Sequence, residues 1–183
     1  MKKATRRLGL SAVSTLIFVG ACASLPDNIA QGVVNRWPAP SAAAGHRLMD
    51  EYGTPDDVTP NQLTWNNRGS WKRTVVWNSR PIYRSPADLA VMKQTVDYPL
   101  TQAQAGELLA FSDSLEIDLA RGELSSRAGR EEINYLTLNL ADEIVRGQKT
   151  ASEAQTAFVR ELQLAASGKT TPYMTGLLFP AGS

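Results

Sequence analysis

Trp65-Asn66-Asn67-Arg68-Gly69-Ser70-Trp71-Lys72-Arg73 sets two tryptophans around a turn signal and follows the second with two cations. Residues 62–66 and 70–78 are rich in Trp, Thr and Val, the composition of strands, and Gly69 supplies the positive φ that a tight turn needs. The stretch predicts a β-hairpin. With a three-residue loop at Asn67, Arg68 and Gly69, Trp71 falls opposite Trp65 and the two indoles become a cross-strand pair. Alternation then assigns Trp71, Arg73, Val75 and Trp77 to one face and Lys72, Thr74 and Val76 to the other. Trp71, Val75 and Trp77 read as the buried side, so Arg73 needs a carboxylate partner in a structural ion pair. Asp56, Asp57 and Glu51 are near enough in sequence to be candidates. The competing use of the hairpin is recognition, with Trp65, Arg68, Trp71 and Lys72 stacking on and clamping a sugar or an anionic polymer.

Outward from the hairpin, the pattern alternates between helices and strands. Ser41 reads as the cap of a short helix with Ala44, Leu48 and Tyr52 on one stripe, stopped by Gly53 and Pro55. Residues 54–60 read as a loop, 80–89 with their two prolines as irregular, and 94–98 as a strand. Thr101 caps a helix through about residue 112, and Leu115, Ile117 and Leu119 then alternate toward an Arg121-Gly122 turn. Two-residue closure of this second hairpin sets Leu119 against Leu124 and Glu116 against Arg127. A single longer helix over 101–121 is the alternative. Ile133, Leu136, Leu140, Ala141 and Ile144 recur at helical spacing up to Gly147, and Thr150-Ala151-Ser152-Glu153 is a capping box opening a further helix. The three-residue link predicts a helical hairpin. The expected class is therefore α+β: a small antiparallel sheet built from hairpins, packed against helices that include a C-terminal helical hairpin. Residues 41–168 form one domain, preceded by a tether at 22–40 and followed by a tail at 169–183.

The first residues carry a separate message. Lys2, Lys3, Arg6 and Arg7 precede the apolar segment 8–19, which is a secretory leader too short for a membrane span. Val19-Gly20-Ala21-Cys22 follows and resembles the lipobox of bacterial lipoproteins. That resemblance implies cleavage after residue 21, lipidation of Cys22, and a membrane partner reached through acyl chains; two or more such chains hold stably. Ala and Ser at positions 23 and 24 resemble the signal for sorting to the outer membrane, facing the periplasm. Ordinary signal cleavage after Ala23 would instead release a soluble periplasmic protein. Cys22 is the chain's single cysteine, so disulfides and thiolate metal sites are not expected. Without the leader, 15 basic residues face 18 acidic ones, a net charge of −3 that argues against nucleic-acid binding.

Two segments, Tyr52-Gly53-Thr54-Pro55-Asp56-Asp57-Val58-Thr59-Pro60 with the Trp65 and Trp71-Lys72-Arg73-Thr74 residues after it, and Glu131-Glu132-x-Asn134 with Leu138-Asn139-Leu140-Ala141, resemble an uncharacterised bacterial protein family. The resemblance covers roughly residues 44–160 and implies one shared domain; it carries no activity. Catalytic motifs are sparse. The single histidine, His46, sits in the first helix with no nucleophile motif beside it and reads as a surface or packing residue. Asp56 and Asp57 lack calcium-loop spacing, so no metal or cofactor is expected. Glu116 with Asp118, and Glu131 with Glu132, are the carboxylate pairs available to a cell-wall glycoside or peptidoglycan hydrolase; the second pair also complements a helix dipole. The reading favoured by these residues is a non-enzymatic envelope lipoprotein with a binding or structural role, in contact with an envelope protein or a cell-wall polymer.

Overall fold

The computed structural model describes residues 27–79 and 90–180, and the chain is of the α+β class. Strands β1 (Asp57–Thr59), β2 (Gln62–Arg68), β3 (Trp71–Trp77), β4 (Met92–Asp97), β5 (Leu115–Asp118) and β6 (Glu123–Ala128) form one antiparallel sheet in the order β1-β2-β3-β4-β6-β5. Helices α1 (Asp27–Val34), α2 (Ala39–Tyr52), α3 (Gln102–Phe111), α4 (Glu131–Val145) and α5 (Ala151–Ala166) complete it. The segments expected at residues 1–26, 80–89 and 181–183, Cys22 among them, lie outside the described residues.

The first hairpin forms, but in another register. Its strands close around Gly69 and Ser70, with Gly69 at φ 56°, so Trp65 faces Thr74 and Leu63 faces Val76. The two indoles are therefore not cross-strand partners. Burial explains the choice: this register brings Leu63, Trp65 and Val76, each 0% exposed, onto one face, and a slip by an odd number of residues would turn them outward. The ladder has no partner for Asn67 or Lys72, and Asn67 takes φ 52°. Alternation breaks there. Trp71 turns to the helix layer, stacking on Tyr135 with ring centroids 4.7 Å apart, while Lys72 and Arg73 both reach Glu123. The expected separation of Lys72 to water and Arg73 to core is thus corrected.

The second hairpin keeps its predicted parity. Its register places Ile117 against Leu124 and Glu116 against Ser125 across a four-residue loop at 119–122, two residues from the expected pairing. An even slip leaves every side chain on its face. Strand β5 and helix α3 are separate elements, so the single helix over 101–121 does not form. Thr101 and Thr150 cap α3 and α5 with complete capping boxes, and Gly147 at φ 68° ends the turn after α4.

Two apolar clusters lie between sheet and helices. One joins Leu63, Trp65, Val76 and Met92 to α1 and α2; the other joins Val96 and Leu124 to the C-terminal helices. The domain extends beyond its expected ends. Ala30 and Val34 of α1 are fully buried and Trp37 nearly so, its indole donating to the Pro60 carbonyl at 2.9 Å. Short as it is, α1 is held by packing, despite Pro26, Gly32 and Pro38 around it. The tail folds back in a 3-10 turn at Pro172–Met174; Met174 and Phe179 are buried, and Asn139 donates to the carbonyls of Tyr173 and Gly176. Residues 27–40 and 169–180 thus belong to the domain and not to a tether or a tail.

Candidate functional site

The hairpin residues singled out for recognition are occupied by the fold. Trp65 is 0% and Trp71 2% exposed. The Trp65 indole donates to the Gly53 carbonyl at 2.9 Å, and that of Trp71 to Glu131. Neither ring face is offered to a ligand, because burying an indole removes a large apolar area from water and satisfies its single donor. Arg68 pairs with Asp56 at 2.8 Å, and Asp56 also accepts from the backbone of Asn66 at 2.6 Å. Lys72 bridges Asp97 and Glu123, at 2.5 and 2.9 Å. Arg73 does have a carboxylate partner, but it is Glu123 at 2.8 Å and not Asp56 or Asp57; Asp57 is exposed on β1. Closeness along the chain misled, since β4 brings β6 within reach across the sheet. Burial would raise the Glu123 carboxyl, yet the hydrogen bonds from Lys72 and Arg73 outweigh it and hold the group below the usual carboxylate range.

The carboxylates proposed for glycoside chemistry are likewise engaged. Glu116 pairs with Lys93 at 2.9 Å and Arg127 at 2.6 Å. The side chains of Lys93 and Arg127 cover the Trp77 ring, 5.8 and 4.8 Å from its centroid. Asp118 accepts from the backbone of Ala120 and Arg121, shaping the loop. His46 is half-buried on α2.

Glu131, the first residue of α4, has a larger role than helix-dipole complement. It is 8% exposed, and its Oε1 accepts from Tyr52 Oη, Trp71 Nε1 and Gln94 Nε2, the last at 2.7 Å. Gln94 accepts in turn from Asn134 at 2.9 Å. This network ties α2, β3, β4 and α4 together through one oxygen. Burial and then the bond to Glu131 raise the Tyr52 hydroxyl far above its ordinary pKa. Burial, joined by the charge of Glu131, pushes Tyr135 up to about 12. Glu51 is raised too, by burial and by repulsion from Glu131. Tyr52, Trp71, Glu131 and Asn134 come from the separate segments that carried the family resemblance, and the fold brings them together.

The hairpin borders a cavity of about 450 Å³ that Trp71, Lys72, Asp97 and Phe179 help to line, and a larger groove lies elsewhere. A groove of about 1110 Å³ is walled by α2 on one side and by the C-terminal end of α3 and the middle of α5 on the other. Ala43 and Ala44 of α2, Ile133 and Thr137 of α4, and Phe158 and Val159 of α5 make its apolar surface. Arg47, Arg127 and Arg130 supply positive charge, and Asp113 is the acid among the lining residues. Two of the five large apolar side chains exposed among the described residues, Leu109 at 58% and Val159 at 53%, stand in this groove. Sequence reasoning missed it, because Leu109 and Val159 were indistinguishable from core positions until the helices were placed. The signal present in the sequence was the small stripe Pro40, Ala43, Ala44 and Arg47, at i, i+3, i+4 and i+7.

Among the described residues no group of three His, Cys, Asp or Glu side chains could hold a metal ion. None of the described helices is long and apolar enough to cross a membrane. No protein-family model, curated protein or solved structure matches the chain.

Proposed function

We propose that this chain is a bacterial lipoprotein, anchored through acyl chains on Cys22 at the periplasmic face of the outer membrane, whose domain is a non-enzymatic binding module. The observation that carries the binding role is the groove between α2, the C-terminal end of α3 and the middle of α5. It leaves Leu109 and Val159 in water at a cost that folding did not remove, and exposed apolar surface of this kind is typical of contact sites. The ion-paired Glu116 and the hydrogen-bonded Glu131 support a binding role over hydrolysis, since each already has the partners a structural carboxylate needs. The leader and Val19-Gly20-Ala21-Cys22 support the anchor.

Radioactive palmitate fed to cells tests the anchor: wild type takes up label and Cys22→Ser does not. An unlabelled wild type returns the chain to the soluble periplasmic alternative. A photoreactive residue replacing Val159 tests the groove, with the same group at exposed Lys169 as control. Adducts from position 159 above those from 169 are expected. Equal yields from both positions would remove the groove as the binding surface.

A further inference from the structure

We infer that the groove receives an acidic amphipathic helix of a partner protein; the inference rests on the binding role proposed above. Size speaks first. At about 1110 Å³ the groove stands at the upper end of the roughly 300–1,000 Å³ typical of small-molecule pockets, which leaves room for a larger occupant. An amphipathic helix laid with its apolar face down is a recurring occupant of an apolar groove of this kind. The walls fit that occupant as well. Pro40 and the exposed Ala43 present small side chains along one side of α2, which lets a neighbouring backbone come close. Leu109 and Val159 stand opposite, available to pack between the i, i+3 and i+4 side chains of the incoming helix.

Charge selects the helix. A mature chain of net charge −3 repels anionic partners on average, yet the lining of this groove has three arginines against one acid. Arg127 is already held by Glu116 at 2.6 Å. Arg47 lends one donor to the Gly129 carbonyl at 3.5 Å, and Arg130, exposed at the start of α4, makes no side-chain ion pair among the described residues. Arg130 is therefore free to meet a carboxylate on the flank of a docked helix, with the charge of Arg47, which also feels Glu51 on its own helix, beside it.

The test uses the full chain in its own membranes, with the photoreactive group at position 159 and the site of attachment on the captured molecule located by mass spectrometry. Attachment within a net-negative helical segment is expected. Arg130→Glu should cut the adduct yield at least fivefold, and a Glu→Lys exchange in the mapped segment should restore it. Because Arg130 is exposed and unpaired, its replacement leaves the fold intact, which the thermal unfolding midpoint checks. Attachment to a lipid or glycan, to a segment without net negative charge, or a yield indifferent to Arg130→Glu overturns the inference while leaving a binding groove. Absence of any adduct above the Lys169 control overturns both.

Discussion

Replacing Glu131 separates a structural carboxylate from an incidental one. In Glu131→Ala the Trp71 indole, 2% exposed, and the Gln94 amide, 0% exposed, lose their acceptor in a place water does not reach. Each buried donor left without a partner costs about 1–3 kcal/mol, so the two together set the loss at roughly 4 kcal/mol. Tyr52 is half-buried and adds less, since its hydroxyl can turn to solvent. Against a total stability of about 5–15 kcal/mol that is a large share, and for a domain of this size it lowers Tm by roughly 10–15 °C. Glu131→Gln separates the acceptor from its charge. All three donors use a single oxygen, which the amide can present in the same place, so only the charge assistance is lost, about 1–2 kcal/mol. Urea unfolding followed by tryptophan fluorescence reads both variants. An alanine variant within about 1 kcal/mol of wild type, or a glutamine variant costlier than alanine, would refute the assignment of Glu131 as the joint between helices and sheet.

Further tests address the sheet and the helix ends. Trp65→Ala should cost about 3–5 kcal/mol, as expected for a fully buried indole, in the same urea assay; a loss below about 1 kcal/mol would return Trp65 to the surface as a recognition residue. The Glu123 carboxyl is held below its ordinary value of 4.5, so its contribution is complete above that pH and disappears as pH falls through the lower folded value. Unfolding midpoints of wild type and Glu123→Gln should therefore differ at pH 6 and converge toward pH 3, and a gap that widens on acidification would contradict the Lys72 and Arg73 pairing. Thr150→Ala removes the cap of α5 and should lower stability by about 1 kcal/mol; an unchanged thermal midpoint would mean that the helix does not depend on its capping box.

Local chemistry was legible where its cause was local. Thr101 and Thr150 announce their helices because a capping box needs only residues three apart, and the apolar spacing of 131–145 announced α4, although residues 136–142 of that helix are buried on every side. The hairpin around Gly69 was equally visible as a hairpin. Its register was not, because choosing between pairing Trp65 with Trp71 and pairing it with Thr74 depends on which face the helices cover. Helix α1 and the returning tail lacked legible signals for the same reason: prolines and glycines in sequence suggested linkers, while contacts made by Ala30, Val34 and Phe179 stabilise structure that propensity alone would not.

The sequence by itself determined the α+β class, the positions of the capped helices and the existence of both hairpins, since each depends on neighbours along the chain. The tertiary structure alone decided that Arg73 meets Glu123, that Tyr52, Trp71 and Gln94 share one oxygen of Glu131, and that a groove remains between α2, the end of α3 and the middle of α5. These are contacts between residues dozens of positions apart, and their partners are chosen by how the sheet twists and which apolar faces must be covered, information that no short stretch of chain contains.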